Sequence, residues 1–247
     1  MPLEAPLAGL AERVAELNAR HAHGSATRVL ENALFDPLVG QTALVSSFGA
    51  ESVVLLHMVS VIDRTTPVLF LDTEMLFPET LAYQRDVAER LKLKVQVIRP
   101  DRDETFLHDP QNNLHLHNPD ACCAIRKNAP LEKALAPHDA WITGRKRFQG
   151  GQRTRLDFFE VDTNGKIKIN PLAYWTPSDV GDYILNNRLP RHPLLAKGYP
   201  SIGCAPCTTR VAENEDARAG RWRGQEKTEC GIHFVNGKSL RAERAHP

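Results

Sequence analysis

Three short apolar, β-branched runs recur through the first hundred residues: TALVSS (42–47), PVLFLDT (67–73) and KVQVI (94–98). Between them lie stretches with helical spacing, 51–62 and PETLAYQRDVAERL, where Pro78 suits a first helical turn. A fourth run, DAWIT (139–143), follows the helical NAPLEKAL, which is entered straight from a Cys-Cys pair. Strands that alternate with helices predict an α/β fold built on a parallel sheet. Such a sheet takes ligands beyond the carboxyl ends of its strands. Two helices near 8–20 and 26–34 precede the first strand, and 100–120 reads as loop. FFEVD and KIKIN read as a hairpin joined by TNGK. TPSDVGDYILNN reads as a helix capped by Thr176 with Pro177 at its first position. From residue 190 onward periodicity fades. The expected organisation is a helical segment over 1–40, an α/β domain over 41–212 and a tail over 213–247 that orders with ligand or partner.

The net charge of +1 gives no global field that would favour nucleic acid or a membrane surface. SVVLLHMVSVI, among the longest apolar stretches, is too short for a membrane span. The opening residues have the spacing of an amphipathic helix rather than the pattern of a secretory signal, so a cytoplasmic location with reduced thiols is expected. Five cysteines, Cys122, Cys123, Cys204, Cys207 and Cys230, leave at least one outside any intrachain pairing. Their spacing favours metal or redox chemistry over a disulfide framework. CC and CAPC bring four thiols into play, as ligands for zinc or for an iron–sulfur cluster. Adjacent cysteines suit a structural zinc site poorly. Cys230 stands apart on a polar, arginine-bearing stretch.

Three further stretches fall at the predicted carboxyl edge. SSFGAES (46–52) joins a strand to a helix N-terminus, where backbone N–H groups and the hydroxyls of Ser46, Ser47 and Ser52 suit a phosphate or sulfate; an ordinary capped turn is the plainer reading. LDTEMLFPET (71–80) puts Leu71, Asp72 and Thr73 at the same edge. GRKRFQGGQRTR (144–155) crowds arginines and a lysine onto a loop after the fourth strand, and RAGRWR (218–223) adds a second basic group. Planar guanidiniums there suit a small polyanion, with an RNA surface as the weaker reading.

Taken together, SSFGAES, LDTEMLFPET, CCAIRK, ITGRKRFQ, CAPCT, RAGRW and ECGIH resemble, in this order, the assimilatory sulfonucleotide reductases, and most nearly those that carry an iron–sulfur cluster and act on adenosine 5′-phosphosulfate (APS). The resemblance spans roughly 40–234. It implies an adenine nucleotide α-hydrolase-like fold related to the PP-loop ATP pyrophosphatases. It implies a [4Fe-4S] cluster on Cys122, Cys123, Cys204 and Cys207, and Cys230 as the nucleophile. Sulfite and AMP would be the products, with a thioredoxin or glutaredoxin-type thiol as reductant and an S-sulfocysteine intermediate, in sulfate assimilation and cysteine biosynthesis. A homo-oligomer is the expected assembly.

On that reading the thiolate of Cys230 needs positive neighbours, for which His233 and the arginines of RAGRWR are candidates. Lys127, Arg145, Arg147, Arg153, Arg218 and Arg221 are candidates to neutralise the substrate anion, with Ser46, Ser47, Phe48, Gly49, Glu51, Ser52, Leu71, Asp72, Thr73 and Gly144 lining its site. Lys127 falls four residues after Cys123, about one helical turn. Two departures stand out: Glu74 occupies a position that is often glycine in the family, and Glu51 stands where PP-loop relatives carry aspartate. The alternatives are a reductase of the 3′-phosphorylated substrate (PAPS) or of both, a PP-loop ATP pyrophosphatase or sulfurtransferase, and a four-cysteine zinc module that binds RNA.

Overall fold

The computed structural model describes residues 9–227, 229 and 231. Six strands form one sheet in the order β3-β2-β1-β4-β6-β5. They are β1 (Thr42–Ser46), β2 (Pro67–Leu71), β3 (Lys94–Ile98), β4 (Ala140–Ile142), β5 (Phe159–Val161) and β6 (Ile167–Ile169). All neighbours pair parallel except β5 with β6, which run antiparallel. The hairpin turn is held by Asp162, whose Oδ1 accepts from the N–H groups of Asn164 and Lys166.

Burial follows position in the sheet. In β1 and β2 every residue after the first is buried, whereas β3, at the edge, has no buried residue. Central strands need apolar side chains on both faces, and an edge strand does not. On one face, α1 (Leu10–His21), α2 (Ala26–Phe35), α3 (Ser52–Ile62), α4 (Pro78–Leu91) and α9 (Pro177–Asn186) contribute to a single core that includes Leu17, Leu30, Val53, Leu56, Val87 and Ile184. The helical segment before residue 40 therefore shares the core of the sheet. α3 is apolar on nearly all sides because it lies inside this layer. The other face is thinner: Ala43, Val45, Leu69, Leu71 and Trp141 pack on Leu131 and Leu135 of α8 (Ala129–Leu135). Among the described residues no helix is long and apolar enough to cross a membrane.

The stretch 100–120, expected as loop, holds α5 (Arg102–His108), α6 (Leu114–His117) and the start of α7 (Pro119–Cys123). Elements this short show no readable period. Their ends are set by single caps instead: Asp101 accepts from the N–H groups of Asp103 and Glu104, and Asn118 from that of Ala121. Between α7 and α8, residues Ala124–Asn128 form a π-helical turn, so Lys127 does not follow Cys123 by one α-helical turn as the spacing predicts. Residues 213–227, expected to begin a tail, are tied back: Trp222 N–H donates to Cys207 O at 3.0 Å, and Arg223 donates to Thr209 Oγ1 at 3.0 Å and to Arg210 O at 3.2 Å.

Glu74 answers one departure from the family pattern. Its φ is 60°, in the left-handed region where glycine is usual, and its N–H is held by Asp72 Oδ1 at 3.1 Å. The side chain is exposed, so the turn forms at a local backbone cost of about 1–2 kcal/mol. Glu74→Gly removes that cost and adds unfolded-state entropy of roughly 0.5–1 kcal/mol. Thermal unfolding should therefore show this variant as stable as the wild type or more so, by up to about 1 kcal/mol. A clear loss of stability would mean that the Glu74 side chain makes a contact the fold needs.

Candidate active site

The strand order reverses its direction of growth at β1: the chain proceeds outward through β2 and β3, then returns to place β4 on the other side. The loops after β1 and β4 consequently diverge and leave a cleft at the carboxyl edge. Ser46, Ser47, Gly49, Glu51 and Ser52 line it from the first loop, Leu71 and Thr73 from the end of β2, and Gly144, Arg145 and Arg153 from the loop after β4. Lys127, Cys204, Arg218 and Arg221 close the remaining sides. Residues far apart in the chain thus meet where the sequence places a ligand.

Three expected site residues do not line the cleft. Phe48 is fully buried with φ 48°, and its ring packs edge-on against Phe70 at 5.2 Å. It anchors the turn from below, with its N–H held by Ser46 Oγ at 3.1 Å. Asp72 braces Glu74 N–H and pairs with Arg99 at 3.1 Å. Arg147 turns outward: it donates to Leu156 O at 2.7 Å and lies 4.0 Å from the centre of the Tyr174 ring. Cys230 and His233 lie outside the described residues.

Of the cations that do line the cleft, Lys127, Arg145, Lys146 and Arg153 are buried and Arg218 and Arg221 partly so. Arg145 donates to Glu160, Thr143 and Asn170. Lys146, which sequence reasoning missed, places Nζ 2.8 Å from Glu51 and 2.9 Å from Gly144 O. Burial pulls the Lys146 ammonium below its ordinary range, and Glu51 opposes that shift. Gln149 links these groups, since its Nε2 donates to Glu51 at 3.2 Å and its Oε1 accepts from Lys146 N–H and from Arg153 Nη1. No local pattern separates Lys146 from Arg147: Lys146 is extended and Arg147 begins a short 3₁₀ turn ending at Gln149, and that change of backbone sends the two side chains apart.

The second half of the site carries the thiols. Cys122, Cys123 and Cys204 are buried and Cys207 partly so, and among the described residues none of the four is joined in a disulfide. Burial pushes the Cys122 thiol up to about 12, and Cys123, Cys204 and Cys207 add to the rise, so the four sit close enough to feel one another. Among the described residues, no three His, Cys, Asp or Glu are arranged to hold a single metal ion. The CAPC knuckle is pinned to the loop after β2 by Ala205 N–H on Met75 O at 2.7 Å and by Thr73 Oγ1 against Cys204 Sγ at 3.2 Å. Arg126 is buried between the two halves, paired with Asp109 at 3.0 Å and donating to Thr73 O and Asn112 Oδ1. Gly203 makes room for Arg221, because a Cβ there would lie 2.2 Å from its Nη2.

Residues 41–210 match the phosphoadenosine phosphosulfate reductase domain family. The chain is 50% identical to an adenosine 5′-phosphosulfate reductase of Mesorhizobium japonicum, over 92% of this chain and 89% of that one. It is 46% identical to one of Chelativorans sp., over 97% and 96%. Among solved structures it resembles a phosphoadenylyl-sulfate reductase from Candida auris, with a TM-score of 0.69 and 29% identity over 81% of this chain and 97% of that one. An FMN adenylyltransferase of Candida glabrata shares the fold alone, with a TM-score of 0.54 and 16% identity over 92% and 88%.

The Lys146–Glu51 pair makes a direct test of this geometry. Lys146→Met removes the buried ammonium and leaves Glu51 with Gln149 alone. Loss of a charged hydrogen bond of this kind should lower the unfolding free energy by about 1.5–3 kcal/mol, read from the urea midpoint. A change under about 0.5 kcal/mol would show that water substitutes for the ammonium and that the pair does not hold the cleft.

Proposed function

Because the chain belongs to the phosphoadenosine phosphosulfate reductase domain family, we propose that it is an oxidoreductase acting on a sulfur group, which reduces APS to sulfite and AMP. The observation that carries the reading is the cleft itself: buried and partly buried cations gathered at the switch point of a parallel sheet, beside four cysteine thiols. Hydrogen bonds from partly buried cations to an anion are strong because little water competes for them. The relatives named above add the substrate class, since two of them carry the name adenosine 5′-phosphosulfate reductase.

The reaction needs a nucleophile toward sulfur and two electrons. The Cys230 thiolate attacks the sulfate sulfur of APS. The bond from that sulfur to the bridging oxygen breaks, AMP leaves with the oxygen, and Cys230 holds an S-sulfonate. A thiolate of a thioredoxin or glutaredoxin-type dithiol then attacks the Cys230 sulfur and expels sulfite. Its second thiol resolves the mixed disulfide and returns Cys230 as a thiol. Both electrons come from the dithiol, which ends as a disulfide. Lys127, Arg218 and Arg221 draw charge from the substrate, and His233 with the same arginines keeps Cys230 ionised.

Cys122, Cys123, Cys204 and Cys207 fit a [4Fe-4S] cluster: three are buried and Cys207 partly so, all are outside any disulfide and mutually close, and cationic side chains at Arg126, Lys127 and Arg221 offset thiolate charge. Four thiolates around four irons also stand wider apart than around one tetrahedral ion. Bound there, such a group supplies a fixed local charge beside the substrate. The ATP pyrophosphatase reading is weakened by Glu51, whose carboxylate is committed to Lys146 and Gln149.

Sulfite release from APS and from PAPS, compared with thioredoxin supplied, tests the function. APS should be turned over at least tenfold faster; preference for PAPS, or ATP hydrolysis with neither substrate used, would overturn the reading. Anaerobically purified protein should be brown, with about four irons and acid-labile sulfide per chain. Cys204→Ser should bleach it and Cys230→Ser should not. Stoichiometric zinc without sulfide would count against the cluster. Reduced protein given APS without thioredoxin should gain one sulfonate on the peptide ECGIHF. Cys230→Ser should bind APS but gain none, because a serine hydroxyl is hardly ionised at neutral pH. An adduct on any other cysteine would displace Cys230 as the nucleophile.

A further inference from the structure

The Arg153 guanidinium is engaged by the chain through each of its three nitrogens. Its Nε lies 2.6 Å from Glu229 Oε1 and its Nη2 2.7 Å from Glu229 Oε2. Its Nη1 donates to Gln149. One of the two edges that could grip a sulfate or phosphate bidentately, Nε with Nη2, is therefore occupied by a carboxylate of the chain, 76 residues away. Arg218 reaches the same carboxylate at 3.4 Å, and Arg145 adds to the field that holds Glu229 ionised against its burial. Both partners are largely out of water, with 10% of the Arg153 side chain and 19% of that of Glu229 exposed. The guanidinium is also fixed from behind, because Gln149 is itself held by Glu51 and Lys146 N–H. Gly231 is buried and has φ 69°, a conformation that favours glycine. Glu229 and Gly231 are the two sequence neighbours of Cys230.

We propose that Glu229 is the positioning residue of the thiol-bearing segment and that Arg153 is its receptor, so that Arg153 seats the segment rather than binding the substrate anion. The inference rests on the reading of Cys230 as the nucleophile. Bringing a nucleophile within reach of a bound electrophile is worth large factors in rate only when the approach geometry is held. A bidentate pair one residue from the thiol supplies that hold. It also changes the role assigned to Arg153 from the sequence: the substrate anion falls to the other cations lining the cleft.

The test uses the full chain. In substrate-free protein, amide hydrogen exchange of the peptide spanning Glu229 and Gly231 should rise at least fivefold in Glu229→Gln and in Arg153→Gln, with the exchange of β1 and β4 unchanged. Exchange as slow as in wild type would overturn the pairing, whether or not the functional reading stands. In rapid-quench experiments with APS and no thiol donor, S-sulfonation of Cys230 should slow at least tenfold in Glu229→Gln. AMP affinity measured by calorimetry should stay within threefold. Glu229→Asp should retain more of the rate than Glu229→Gln. The exchanged pair Glu229→Arg with Arg153→Glu should recover part of what each single change loses, and a loss of rate at unchanged AMP affinity is what a purely structural role would not give. An unchanged rate would overturn the proposal. So would AMP binding that tightens beyond threefold, since Glu229 would then be a competitor of the substrate and not a guide for the thiol. A wild type that forms no adduct at Cys230 would instead overturn the functional reading, and the exchange data would still decide the pairing.

Discussion

Arg145, Lys146 and Arg153 come from one short loop, are all buried, and each meets a carboxylate of the chain: Glu160, Glu51 and Glu229 respectively. An unpaired charge at such depth would cost several kcal/mol, so the cleft depends on these pairings. The three carboxylates come from three separate parts of the chain: the hairpin, the turn that caps the helix after the first strand, and the far end of the described residues. The charge balance of one loop therefore fastens together three regions that the sheet alone would not align. A loop built this way holds its three cations in place, each balanced by a carboxylate, beside the further cations Lys127, Arg218 and Arg221 that line the cleft.

The sheet topology explains why the balance falls where it does. β1 and β4 are neighbours whose following loops diverge, and only there can two loops present groups to one ligand from both sides. The thiols are brought to the same edge by a different device. Arg126, buried beside Asp109, ties the residues before the Cys-Cys pair to the carbonyl of Thr73, while Thr73 Oγ1 meets Cys204. Thr73 thus meets Cys204 directly and the segment that carries Cys122 and Cys123 through Arg126. The π turn after Cys123 widens the helix at this point, and Arg126 and Lys127 both come to lie inside. Turns of this kind interrupt regular helices mostly where a site needs an unusual direction.

These features bear on chemistry between a thiolate and a sulfonucleotide. Both reactants are anionic, so they approach one another only where positive charge is already gathered and water is scarce. The cleft supplies that setting without drawing cations in from solvent. Glu229, next in sequence to the proposed nucleophile, is held by Arg153 and Arg218, which border the same cleft.

Much of this was legible in the sequence, for physical reasons. The alternation of apolar strands and helices fixes a parallel sheet, because long crossovers exclude simple hairpins, and it fixes the edge where SSFGAES, LDT and the basic loop must gather. The spacing of CC and CAPC separates four cysteines from a fifth. Short helices between 100 and 120 were not legible, since their boundaries are set by single caps rather than by a repeating pattern. Nor could composition tell which cations face the cleft. Arg147 and Lys146 are neighbours of the same charge, yet one stacks on an exposed tyrosine and the other is buried against Glu51. Sequence by itself determined which chemical groups the chain owns and which edge they share. Tertiary structure alone decided which of them are partnered, because an ion pair such as Arg153 with Glu229 joins residues with no local signal between them, and its strength comes from burial that no sequence window contains.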